Sequence, residues 1–75
     1  MIEENLINSY IESRLIITGN NEDYILSCNI KYDLNLLSKY YITYAAISKI
    51  LLENKSIKKK IMKGSMHYIG IKYKL

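Results

Sequence analysis

Apolar residues recur along this chain with two different periods. In "EENLINSYIES", Leu6, Ile7, Tyr10 and Ile11 fall at i, i+1, i+4 and i+5, one face of a helix. Glu3 and Glu4 stand at the N-terminal end of that helix, where its dipole favours negative charge. "RLIIT" follows, a short apolar run that either prolongs the helix or forms a strand. "GNNED" has the chemistry of a turn, and "YIL" is too short for a helix of its own and reads as a short strand. Ser27 is placed to cap a second helix. Ile30, Leu34, Leu37 and Tyr41 then recur at spacings of four, three and four, which predicts one buried face. After "YYIT", Thr43 predicts the N-cap of a third helix. That helix buries Ile47, Ile50 and Leu51, turns Ala45, Ser48, Lys49 and Leu52 the other way, and ends near Asn54.

The final segment switches to period two. "SIKKKIM" and "MHYIGIKY" flank "KGS", which predicts a hairpin with a three-residue loop and Gly64 in the left-handed conformation. That register sets Ile57 opposite Ile71 and Ile61 opposite His67, facing inward with Ile69. Lys58, Lys60, Tyr68 and Lys72 then share the outer face. Lys59 falls on the inner face, with its stem reaching out at the sheet edge. A slip of one residue would exchange the faces. The expected fold class is α+β: a winged helix-turn-helix of three helices, a small antiparallel sheet and a C-terminal β-hairpin wing, in one domain over 1–75.

Charge changes this picture because of where it falls. Residues 1–38 carry Arg14 and Lys31 against six carboxylates, a net −4, whereas residues 39–75 carry nine lysines against Glu53, a net +8. Ile (14), Lys (10), Tyr (8) and Asn (7) dominate the composition, as AT-rich codons would dictate, and point to a virus, phage or bacterium. Codon bias alone, however, would spread the lysines evenly. A basic half on an acidic half reads as a footprint for a polyanion, and DNA is the expected partner. The plain alternative is a solvated lysine-rich surface.

Within that footprint, the exposed side of the third helix supplies Thr43, Tyr44, Ser48 and Lys49 for entry into a groove of DNA. The set holds no Arg, Asn or Gln, the usual bidentate readers of bases, so affinity is expected to come mainly from phosphates. The wing supplies Lys58, Lys60, Lys63 and Lys72. Tyr68 among them either lies on a sugar or an unpaired base, or packs across the strands over Lys60. His67 reads as a packed or surface wing residue.

Other chemistry finds little support. At 75 residues the chain buries a modest core, about 60% of its unfolded surface. A deep site for a small-molecule substrate is therefore not expected. Cys28, the lone cysteine, reads as a small buried side chain and allows no internal disulfide, which suits a reducing, cytoplasmic setting. Cys28 and His67 do not make a metal site, and no cofactor is expected. No nucleophile motif or Gly-rich phosphate loop occurs, so the chain is not expected to be an enzyme. No apolar run approaches the roughly 18 residues of a membrane helix, and "MIEENLINSY" lacks the pattern of a signal peptide.

The C-terminal half, through "ISKILLEN", the lysine cluster from Lys58 to Lys63 and the aromatic-Gly strand in "HYIGIKYKL", resembles a known domain. It looks like the C-terminal winged-helix domain of poxvirus-type primase–helicases of viruses, phages and plasmids. The matching positions are Ile47 to Leu51, Lys58 to Lys63, and Tyr68, Gly70 and Ile71. The resemblance implies a DNA-engaging module that follows, or accompanies, a helicase/ATPase motor. The chain carries no such motor, so ATPase and primase activity do not come with it. Two other readings stand beside this one. A small viral or phage transcription regulator would show preference for one duplex. A protein-interaction module that inhibits a host nucleic-acid enzyme would use exposed Leu52, Met62 and Met66 and bind no DNA.

Overall fold

The first apolar stripe becomes α1 (Ile2–Arg14), which buries Ile7 and Tyr10 and half-buries Leu6 and Ile11. "RLIIT" resolves as a strand, β1 (Leu15–Ile17), and "YIL" as β2 (Tyr24–Leu26). The chain then passes directly into α2 (Ser27–Leu37) and, after a turn, α3 (Tyr44–Leu51). Three strands follow: β3 (Lys58–Met62), β4 (Ser65–Ile69) and β5 (Ile71–Tyr73). This computed structural model describes residues 2–74.

The architecture is α+β, with three helices against two antiparallel sheets. One sheet has the order β2-β4-β3, and the other pairs β1 with β5. The core gathers Ile7, Tyr10 and Leu15 from the N-terminal part, Ile30, Leu34, Ile42, Ile47 and Leu51 from the helical pair, and Ile25, Ile57, Tyr68 and Ile71 from the sheets. Each such side chain contributes about 1.5–3 kcal/mol when removed from water. No described helix is long and apolar enough to cross a membrane.

Two expectations about α2 are corrected. Ser27 does not cap it: Leu26 is the N-cap residue, without a side-chain cap, and Ser27 is the first helical residue. The buried stripe also stops at Leu34. Leu37 and Tyr41 are exposed because the helix ends at Leu37, so the four-three-four spacing no longer holds one face beyond it. Ile42, 0% exposed, enters the core instead. Asn35 makes that entry possible. Its Nδ2 donates to the carbonyls of Lys31 (2.8 Å) and Ile42 (3.1 Å), while its Oδ1 accepts from the Ile42 N–H (2.8 Å). Both backbone groups of a buried turn residue are thereby satisfied, which otherwise would cost about 1–3 kcal/mol each.

Tyrosine hydroxyls tie the layers together. Tyr10 donates to Asp33 Oδ2 at 2.8 Å, linking α1 to α2. Burial first, and then that hydrogen bond, push Tyr10 far above the ordinary tyrosine value. Burial also raises Tyr68 and Tyr73; the negative charge of Asp33 adds to the effect at Tyr73, and the bond to Ser48 offsets part of it at Tyr68. The folded chain thus holds phenolic protons that the unfolded chain releases near pH 10. Above that value the unfolded state binds fewer protons, so stability falls as pH rises. Melting temperature should stay level up to about pH 9 and drop steadily beyond it. A level profile to about pH 11 would contradict this account of the buried phenols.

Candidate nucleic-acid interface

The hairpin forms as expected, but its loop has two residues rather than three. Lys63 (φ 53°) and Gly64 (φ 79°) both adopt positive φ, as a tight hairpin turn of the primed type requires. The pairing is Lys58↔Ile69, Lys59↔Tyr68, Lys60↔His67, Ile61↔Met66 and Met62↔Ser65. This is one residue away from the expected register, so every side chain of β4 changes face while those of β3 do not.

Tyr68 is the main consequence. Expected on the outer face among the lysines, it is 1% exposed, and its hydroxyl shares a 2.6 Å hydrogen bond with Ser48 Oγ on α3. The slip is favourable because it buries a large ring whose polar tip finds a partner, and turns His67 outward. Ile61, expected inside, is 67% exposed near the hairpin tip. Tyr68 therefore leaves the face of Lys58 and Lys60 and acts as a strut between hairpin and helix.

Lys72 is likewise not where the period-two pattern puts it. Gly70 (φ 94°) breaks the chain between β4 and β5, and Lys72 pairs with Ile16 of β1. It belongs to the other sheet and does not share the face of Lys58 and Lys60. Those two remain together, and their cross-strand partners place Ile69 and His67 beside them. Tyr24 joins this face from β2 through its pairing with Ile69. Tyr24 and His67 meet edge to face, with ring centroids 5.5 Å apart, and His67 Nδ1 donates to the Ser65 carbonyl at 3.0 Å. The aromatic companions of the lysines are thus Tyr24 and His67. Sequence reading missed Tyr24 because a three-residue strand carries almost no periodic signal.

Lysine alternation has a further result. Because Tyr68 faces α3, Lys59 opposite it also lies on the side toward α3, whereas Lys58 and Lys60 lie on the reverse side. The basic footprint expected of α3 and the wing is therefore divided by the sheet. β3 is an edge strand, so long lysine stems on both sides can converge along it. Lys63 stands exposed at the tip.

On α3, Thr43 is the N-cap, as expected, and its Oγ1 accepts from the Ala46 N–H at 3.2 Å. Tyr44 and Lys49 are exposed, whereas Ser48 is half-buried and engaged with Tyr68. Lys31, which sequence reading left out, holds its ammonium 4.5 Å from the ring centroids of both Tyr41 and Tyr44 and donates to the Tyr41 hydroxyl. Its position on α2, against Tyr41 of the turn and Tyr44 at the start of α3, is visible only in three dimensions. Cys28 is exposed rather than buried. Among the described residues no group of three or more His, Cys, Asp or Glu side chains could hold a metal ion. No protein-family model, no curated protein and no solved structure matches this chain.

Proposed function

We propose that this chain is a winged helix-turn-helix module that binds DNA chiefly through its phosphates. The observation that carries the reading is the edge strand β3, where Lys58, Lys59 and Lys60 stand in succession and Lys63 extends the series to the hairpin tip. The topology supports it: a strand leading into two consecutive helices, then a hairpin whose second strand pairs with that first one. The module is a binding element, not a catalyst, and acts inside the cell. The resemblance of Ile47 to Leu51, Lys58 to Lys63, and Tyr68, Gly70 and Ile71 to primase–helicase C-terminal domains supports a role in viral or mobile-element replication, on or beside an ATPase motor.

Titration of labelled single- and double-stranded DNA against salt tests this. Four lysine–phosphate contacts give a log–log slope of about −3 to −4, so doubling the salt should weaken binding about tenfold. Absence of binding at low salt would reject the reading. A second reading would then stand, a protein-interaction module. It is favoured by the apolar side chains that α2 and the following turn leave exposed, namely Tyr32, Leu36, Leu37, Tyr40 and Tyr41.

A further inference from the structure

We propose that the groove between α3 and the hairpin receives one unpaired nucleobase; this rests on the DNA-binding reading and deepens it by assigning the form of DNA. The groove has a volume of about 450 Å³ and is lined by Tyr44 and Ser48 of α3, Lys59, Met66 and Tyr68 of the hairpin, and Ser27 at the start of α2. Its position follows from the register. With Tyr68 turned inward to Ser48, the hairpin stands off from α3 and leaves a slot above the strut they form.

Three features of the slot match a nucleotide. Its walls are an aromatic ring and a thioether, and Tyr44 is held in place by the Lys31 ammonium 4.5 Å from its ring centroid. Flat π-faces stack on such a ring whatever the base. Apart from Lys59 and the Cys28 thiol its polar side chains carry hydroxyls, which both donate and accept and so tolerate different base edges. Ser48 and Tyr68 bond to each other at 2.6 Å. Ser27, only 6% exposed, lines the groove from the start of α2. Finally, Lys59, the β3 lysine on the side toward α3, lines the groove, and so brings positive charge to where the phosphate of an inserted nucleotide would lie.

This pairing of apolar walls with a basic rim selects among occupants. A free phosphate would leave the walls unused, and an aliphatic side chain would leave the lysine unused. A base within a duplex stack cannot enter, so the site takes a base from a single strand, a fork or a flipped position. The geometry therefore assigns to the groove a preference for unpaired DNA that the lysines alone would not produce.

The test compares a labelled ten-nucleotide oligothymidylate with an abasic chain of the same length and charge, by fluorescence anisotropy at low salt. The thymidylate should bind at least about fivefold more tightly, the lower bound expected for stacking one base. Tyr44→Ala should bring the two affinities together, and Tyr44→Phe, which keeps the ring, should restore the difference. Equal, salt-sensitive affinity of the wild-type chain for both oligomers overturns the groove proposal and leaves phosphate-driven binding intact. Binding to neither removes both.

Discussion

Gly70→Ala lowers the melting temperature by about 12–24 °C, from a cost of about 3 kcal/mol and about 4–8 °C per kcal/mol. Two causes act together. Gly70 has φ +94°, where an L side chain is strained, and an added Cβ would lie 2.3 Å from the Ser56 carbonyl oxygen and 3.3 Å from Gly19 Cα. The oxygen has little room to retreat, because the backbone on either side is tied down. The Ser56 N–H donates to Asn54 Oδ1 at 2.9 Å and the Ile57 N–H to the Asn54 carbonyl at 3.0 Å. Gly70 is also the junction of the two sheets. Its N–H donates to the Asp23 carbonyl (2.7 Å), and its own carbonyl accepts from Thr18 (2.8 Å) and Gly19 (3.0 Å). Gly64→Ala is the matched control, since φ is +79° there but nothing lies within 4 Å of the added carbon. That substitution should cost only about 1 kcal/mol. Thermal melts followed by circular dichroism measure both. A Gly70→Ala protein melting no lower than the Gly64→Ala protein would show that the Ser56 contact does not constrain the junction.

Lys58→Glu with Lys60→Glu separates the two things that lysines on an edge strand do. Charged side chains there prevent strand-to-strand association, and glutamate serves that purpose as well as lysine. The double variant should therefore fold and stay monomeric like the parent, within about 0.5 kcal/mol per exposed substitution. Its affinity for DNA should fall by about tenfold or more near 0.1 M salt, and its log–log salt slope should become shallower by about 2, one for each lost phosphate contact. The same titration reads both quantities. Unchanged affinity and slope would mean that Lys58 and Lys60 only guard the edge, and would remove this face of the hairpin from the interface. Lys59, on the other side of the strand, is untouched by the experiment, so any residual base-dependent binding would be assignable to the groove.

What was legible in the sequence was local. The spacing of Leu6, Ile7, Tyr10 and Ile11 describes the buried face of α1, and Thr43 caps α3 through its own hydroxyl. Lys63 and Gly64 mark a turn between two alternating segments. Each of these depends on residues a few positions apart. The basic candidates Lys58, Lys60 and Lys63 were legible for the same reason. Tyr68, Lys72 and the aromatic partners Tyr24 and His67 were not, because their neighbours lie far away in the chain.

The sequence by itself determined the three helices, the short strand β2, the hairpin and the placing of charge in the second half, since periodicity, capping and composition act through short-range sterics and hydration; β1 and its pairing with a separate β5 it left open. Only the tertiary structure decided which face of β4 points inward. An alternating strand offers two registers, and Tyr68 wins over His67 because its ring fills the core and its hydroxyl meets Ser48. Tertiary structure likewise decided that Ile42 rather than Tyr41 closes the helical pair, since Asn35 is there to satisfy its backbone. It also decided that the chain breaks at Gly70, where the Ser56 carbonyl leaves no room for a side chain. Those three contacts join residues 20, 7 and 14 positions apart, beyond the reach of any local pattern, and the first of them sets the hairpin against α3, where the groove lies.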